Sequence, residues 1–199
     1  MNRPLYQTGS GSEDTQENKT IMDKQAVRHL INQRKRQFTE QQLSRLSLAA
    51  LEKVERHPKV MTAHTVLLYY SMKGEVDTHD LVDRLWQQGK TVLLPRVVSD
   101  TDMELVAYTG RGHLRAAGAF HILEPVGPPV TDYQAIDIAI IPGVAFTADG
   151  KRLGHGRGYY DRLLAAMPQV YRLGLCFPFQ LLPDLPTSDF DMTMDEVVD

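Results

Sequence analysis

Residues 137–164 read DIAIIPGVAFTADGKRLGHGRGYYDRLL. The first five, Asp137 to Ile141, are strongly apolar and read as a buried strand, which Pro142-Gly143 stops. Ala148-Asp149-Gly150 is a turn, and glycine then recurs at alternate positions, Gly154, Gly156 and Gly158. From Tyr159 to Met167 the pattern is helical. A buried strand, a glycine-rich loop and a helix in succession are the repeating unit of an α/β fold.

The flanking sequence extends that unit in both directions. Tyr171 to Phe177 reads as a further strand, and Met194 to Val198 as a short last one. Upstream, Thr65 to Tyr70 is a continuous apolar run, the mark of a strand buried on both faces. Asp77 or Thr78 caps a helix carrying Leu81, Val82, Leu85 and Trp86, and Gly89 ends it. Val92-Leu93-Leu94 and Met103 to Tyr108 read as strands, whereas 110–129, rich in glycine and proline, is expected to be mostly loop. Near the start, Ala26, Val27, Leu30 and Ile31 mark one helix face, while Lys24 and Arg28 share another. A second helix opens at Thr39 with Gln42 as its capping-box partner, carries Leu43, Leu46, Ala50, Leu51 and Val54, and ends at His57-Pro58. This order predicts a mostly parallel sheet covered by helices, with ligands bound outside the carboxyl ends of the strands. Two loops leave such ends: Ser71 to Asp77, and Pro142 to Tyr160.

The 199 residues suit one domain. Residues 1–21 hold a Gly-Ser-Gly-Ser linker and a polar run without apolar period, so a disordered extension is expected there and a single domain over 22–199. Met22 offers a second position at which translation could start. A net charge of −3 argues against nucleic acid or an acidic membrane as partner, so an anionic substrate needs a local basic site. The single cysteine, Cys176, has no disulfide partner and reads as an inert core thiol. No apolar run approaches the ~20 residues that span a bilayer. No secretory signal pattern opens the chain, and the expected compartment is the cytoplasm.

The glycine loop carries Lys151, Arg152 and Arg157. Glycines let backbone N–H groups approach an anion, and arginine's planar fork grips two phosphate oxygens. Alone, the string equally fits a glycine-rich turn with solvated charges. It is neither a P-loop nor a dinucleotide fingerprint. Asp161 is either a helix-dipole partner or, beside phosphates, a Mg²⁺ ligand.

RLGHGRGYYDRLL behind a strand and Pro-Gly resembles the signature of the 5-formyltetrahydrofolate cyclo-ligase family, whose pattern there is R-L-G-x-G-x-G-Y-Y-D. The likeness runs from Lys24 to Val198, with motifs in order at four places. It implies a three-layer α/β/α domain with a mostly parallel, Rossmann-like sheet, as in sugar-phosphate isomerases and CoA-transferases. It implies ATP contacts from Lys24 and Arg28, which by themselves are only two cations on a helix face. It implies a nucleotide loop of Arg152, Leu153, Gly154, His155, Gly156, Arg157, Gly158, Tyr159 and Tyr160, of which His155 to Tyr159 also line the folate site. Tyr70-Ser71-Met72-Lys73-Gly74-Glu75 resembles the family's S-M-x-x-E loop, so Glu75 binds the folate and Tyr70 makes a second contact. Lys73-Gly74 departs from the Pro-Asp of many members. Met192 to Val197 is similar to the family's M-x-x-D-E-V, which makes Asp195 a second magnesium ligand with Asp161. His155 varies in the family and is a contact rather than an essential proton carrier.

The activity implied is ring closure of 5-formyltetrahydrofolate to 5,10-methenyltetrahydrofolate, with ATP going to ADP and phosphate through a phosphorylated formyl oxygen. Arg152 and Arg157 would neutralise phosphate charge and Tyr159 would stack on the pterin, with Mg²⁺ bridging ATP oxygens. Small molecules are the expected partners of a monomer. Two competing classes are a non-catalytic folate- or nucleotide-binding module of the same fold, and an ATP-independent isomerase or CoA-transferase.

Overall fold

The computed structural model describes residues 22–117 and 122–199; the expected extension at 1–21 lies outside the described residues. The elements in chain order are α1 (Lys24–Lys35), α2 (Glu40–Arg56), α3 (Pro58–Thr62), β1 (Thr65–Leu67), α4 (His79–Gln87), β2 (Thr91–Val97) and β3 (Met103–Ala107). Then come β4 (Leu114–Ala117), β5 (Ile122–Pro125), β6 (Pro129–Val130), β7 (Ile138–Pro142), β8 (Ala145–Phe146), β9 (Arg152–Leu153), α5 (Tyr159–Ala165), β10 (Tyr171–Leu175) and β11 (Glu196–Val198). The main sheet runs β11-β10-β7-β1-β2-β3-β6; the first five strands are mutually parallel, and β3 and β6 are antiparallel additions at one edge.

Strand alternation sorts the apolar residues onto two faces. Val66, Val92, Leu94, Ile138 and Ile140 pack with Ala50, Leu51 and Val54 of α2 and Leu81, Val82 and Leu85 of α4. Leu67, Leu93, Ala139 and Ile141 face the other way, onto Leu163, Leu164 and Met167. Each such side chain is worth about 1.5–3 kcal/mol when fully buried, which is why runs apolar at every position become the central strands. The helices therefore lie on both faces, as the sequence implies. Cys176 is fully buried, and burial pushes its thiol up to about 12, which keeps it neutral and inert.

Local signals placed the helix ends. Asp23 caps α1 by accepting from the Ala26 N–H at 2.7 Å, and Thr39 and Gln42 make both bonds of the capping box. His57-Pro58 ends α2 but also starts α3, because proline at the first helical position loses no hydrogen bond. The expectation of loop over 110–129 is corrected. The glycines sit at the ends of the apolar pieces, so β4 and β5 pair as an antiparallel ribbon and β6 joins β3. Among the described residues no helix is long and apolar enough to cross a membrane.

Asp137 sits at the entrance of β7 and accepts from the backbone N–H groups of His64 (2.7 Å) and Thr65 (2.9 Å). These bonds, the Thr65 bond foremost, hold its carboxyl below the ordinary value. A lowered native pKa contributes stability above the unfolded value, ~3.9, which is lost as pH falls through the native value. Asp137→Ala should therefore flatten the loss of urea resistance between pH 5 and 3; an identical slope in both proteins would refute it.

Candidate active site

β1 and β7 are neighbours, so the loops leaving their carboxyl ends, 68–78 and 143–158, lie side by side. Helix α1 crosses both. Arg28 Nε donates to Gly154 O at 3.0 Å, and seven residues on Lys35 Nζ donates to Gly74 O at 3.4 Å. On the adjoining stripe of α1, Val27 and Ile31 pack on Val144, Ala145, Leu153 and Leu185. Lys24 and Arg28 are thus not a solvated face: Lys24 Nζ bonds Asp191 Oδ2 at 2.5 Å and Ser188 Oγ at 3.1 Å. Leu153, expected at the nucleotide, points its side chain into the packing under α1.

The glycine loop follows a two-stranded ribbon, β8 with β9, which the 147–151 turn closes. Gly156 (φ 106°) and Gly158 (φ 67°) take left-handed backbone that other residues adopt only with strain, and Gly158 opens α5. His155, Gly156 and Arg157 are exposed at the tip. The loop rests on the turn between β2 and β3: Tyr159 Oη donates to Ser99 O at 3.0 Å, Arg157 faces Asp100 at 3.4 Å, and Arg162 donates to Thr101 O. The seven residues of α5 give it only about two turns, so its dipole adds little to anion binding.

Arg152 departs from its expected place on phosphate. Its side chain is 2% exposed and turns under the loop, with Nη2 on Asp161 Oδ1 at 2.7 Å and Nη1 on Pro142 O at 3.3 Å. Among the described residues its Nε has no partner, and the guanidinium lies 5.8 Å from the centre of the Tyr160 ring. A buried cation needs a counter-charge, and Asp161 supplies it. Asp161 Oδ1 also accepts from the Met192 N–H at 3.1 Å, while Oδ2 accepts no hydrogen bond among the described residues. Asp195, the other carboxylate assigned to magnesium, is committed elsewhere. Its Oδ2 accepts from the Arg172 backbone N–H at 2.7 Å and from Arg172 Nε, and its Oδ1 from Arg172 Nη2. Arg172 pairs with Ala139, three residues before the end of β7, so this clamp sits about 10 Å down the sheet from Pro142. The structure does not bring Asp161 and Asp195 onto a common partner.

In the neighbouring loop Glu75 is 13% exposed, accepts from the Met72 N–H through Oε2 at 2.8 Å, and holds Oε1 3.7 Å from His155 Nε2. Burial first, and the Glu75 charge second, raise the phenols of Tyr69 and Tyr160 well above their ordinary range, so both stay neutral. A cavity of about 100 Å³ opens between the two loops and α1, lined by Arg28, Met72, Glu75, Gly143, His155 and Gln180. Tyr70 and Tyr159 are not on its wall: Tyr70 stacks on His79, with centroids 4.0 Å apart, and Tyr159 faces the β2–β3 turn. Gln180 is a site residue that sequence reasoning missed. Its buried amide accepts from Phe177 N–H and donates to Gly143 O (2.8 Å) and Val144 O (3.0 Å), which fixes the chain where it leaves β7. A glutamine just after an apolar strand, at the carboxyl edge of the sheet, was the available signal.

A model of the 5-formyltetrahydrofolate cyclo-ligase family matches residues 20–199. Among curated relatives, 5-formyltetrahydrofolate cyclo-ligase of Escherichia coli (strain K12) is 34% identical over 85% of this chain and 96% of its own length. The mouse protein of that name is 29% identical over 88% of this chain and 92% of its own. Among solved structures, 5,10-methenyltetrahydrofolate synthetase of Aquifex aeolicus superposes with a TM-score of 0.77 at 32% identity, covering 89% of each chain. That of Mycoplasma pneumoniae gives 0.69 at 26% identity, covering 89% of this chain and 98% of its own. With the two motif loops side by side under α1 and this match over nearly every described residue, the chain belongs to the 5-formyltetrahydrofolate cyclo-ligase family.

Proposed function

We propose that this chain closes 5-formyltetrahydrofolate to 5,10-methenyltetrahydrofolate at the expense of ATP, releasing ADP and phosphate, as a monomer in the cytoplasm. The observation that carries the reading is the shared wall: His155 of the glycine loop stands 3.7 Å from Glu75 of the folate loop, with Arg28 above both. A nucleotide on one loop and a pterin on the other would meet there. A formyl oxygen is a poor leaving group, and transfer of the terminal phosphoryl makes it a good one. N10 of the same folate then attacks the formyl carbon, and phosphate departs. No protein nucleophile is needed; positioning and charge neutralisation suffice.

Lys24, Arg28 and Arg157 would meet the phosphates, together with N–H groups of the 154–158 turn. Arg152 would act from beneath, holding the loop base through Asp161 and Pro142 O. Bound Mg²⁺ would screen the phosphate charge. Asp161 fits one of its ligands, because Oδ2 is open beside the loop and magnesium needs only one or two carboxylates with phosphate oxygens. Asp195 does not fit as placed, since Arg172 occupies both its oxygens. Glu75 would accept from the adjacent N–H donors of the pterin. The cavity is smaller than the ~300–1,000 Å³ typical of ligand sites, so the substrate enters only when the Glu75–His155 contact parts.

Protein mixed with 5-formyltetrahydrofolate, ATP and Mg²⁺ should develop methenyl absorbance, and omission of ATP should prevent it. Ligand binding without absorbance would make this a non-catalytic module, and absorbance without ATP would defeat the phosphoryl-transfer step. Glu75→Gln removes a charge-assisted acceptor worth about 1.5–3 kcal/mol. It should raise KM for the folate about 10- to 100-fold with ATP affinity unchanged. A shift confined to ATP would place Glu75 at the wrong substrate.

A further inference from the structure

We propose that Asp191 is a positioning residue for the nucleotide: it holds the Lys24 ammonium over the glycine loop and thereby sets the affinity for ATP. The inference rests on the reading that Lys24 meets the triphosphate. A lysine is a point charge on a flexible stem carrying about 2 kcal/mol of rotamer entropy, so its grip on an anion depends on what orders it beforehand. Here the ordering group comes from a segment far along the chain. Asp191 Oδ2 and Ser188 Oγ take two of the three ammonium donors, at 2.5 and 3.1 Å, and leave the third available.

The holder is itself held. Asp191 Oδ2 accepts from the Ser188 N–H at 2.7 Å, and the Asp191 N–H closes the turn onto Ser188 O at 3.0 Å. The next N–H, that of Met192, bonds Asp161 Oδ1. The 188–192 turn therefore ties the start of α1 to the start of α5, on the two sides of the glycine loop. The Lys24 and Asp191 side chains are 32% and 21% exposed, so the pair is better shielded than an open surface bridge. Burial raises the Asp191 carboxyl, but the bonds from Lys24 and Ser188 outweigh it and hold the group below its ordinary value, ionised at neutral pH. One turn of helix away on the same face, Arg28 is bonded to Gly154 O and lies against Gly156, so the face that Asp191 steadies is the one over the loop.

Four proteins test this: the parent, Asp191→Asn, Lys24→Ala and the double variant. MgATP affinity is read by calorimetry without folate, KM for each substrate at saturation of the other, and melting temperature alongside. Asp191→Asn should weaken MgATP about tenfold, leave KM for 5-formyltetrahydrofolate within about twofold and melt with the parent; the double variant should bind no worse than Lys24→Ala. Asp191→Glu should restore part of the affinity, and Ser188→Ala, which removes the second ammonium acceptor and a hydroxyl bond to the carboxylate, should repeat the defect more weakly. Unchanged or tighter MgATP binding in Asp191→Asn, with Lys24→Ala impaired, overturns the positioning role alone. Parent-like affinity in Lys24→Ala overturns the reading of Lys24 on which it rests.

Discussion

Asp161→Ala is expected to abolish turnover and to lower stability by about 3–5 kcal/mol, because it strands the buried Arg152 guanidinium without a counter-charge. Among the described residues Arg152 leaves Nε unpaired, and Asp161 and the Pro142 carbonyl are its hydrogen-bonded partners. For a domain of this size that loss corresponds to roughly 10 °C of melting temperature. Asp161→Asn keeps an oxygen for Arg152 and for the Met192 N–H, and should melt between the two. Turnover must be read well below each variant's melting point, so that lost activity reports the open Oδ2 beside the loop rather than unfolding. A variant that melts with the parent would show that Arg152 does not depend on Asp161; normal magnesium-dependent turnover would remove Asp161 from the site.

Gly150→Ala is expected to cost about 2–4 kcal/mol and to impair the site from a distance. Gly150 has φ 90°, its carbonyl accepts from the Met194 N–H at 2.7 Å, and a Cβ there would overlap the Met194 carbonyl. The 192–195 segment would have to withdraw, taking the Met192–Asp161 bond with it. Gly89→Ala is the matched control: its φ is 86°, but nothing lies within 4 Å of the added carbon, so it carries only the left-handed backbone penalty. Urea unfolding of both gives the clash by difference. Equal losses would mean that the segment yields freely at Gly150.

What the sequence made legible was what short-range chemistry decides. Thr39 with Gln42, and the runs VLL and IAII, carry their outcome in their own spacing. Where two readings compete locally, one was missed: His57-Pro58 looked only like a stop, and glycine between 110 and 127 hid two paired strands. The site shows the same division. The glycine loop and the Glu75 loop were visible because motif and strand end coincide. Burial of Arg152 was not, because the same arginine on an exposed turn would read identically until Asp161 and Pro142 O are known to converge on it. Asp191 lay beyond reach for a similar reason, since its partner Lys24 is 167 residues away in sequence. Asp195 was assigned by motif, and its bonds to Arg172 are a tertiary fact.

The first helix is fastened by six buried side chains forming a cluster of their own, apart from the two that line the sheet. It pairs with no strand, so its displacement from the two loops would break no sheet pairing. Amide hydrogens of residues 27–35 should exchange with solvent far sooner than those of β7 and β10, and saturation with both substrates should slow that exchange. Opening for substrate and unfolding of the domain are then separate events, with separate energies, in the same small protein.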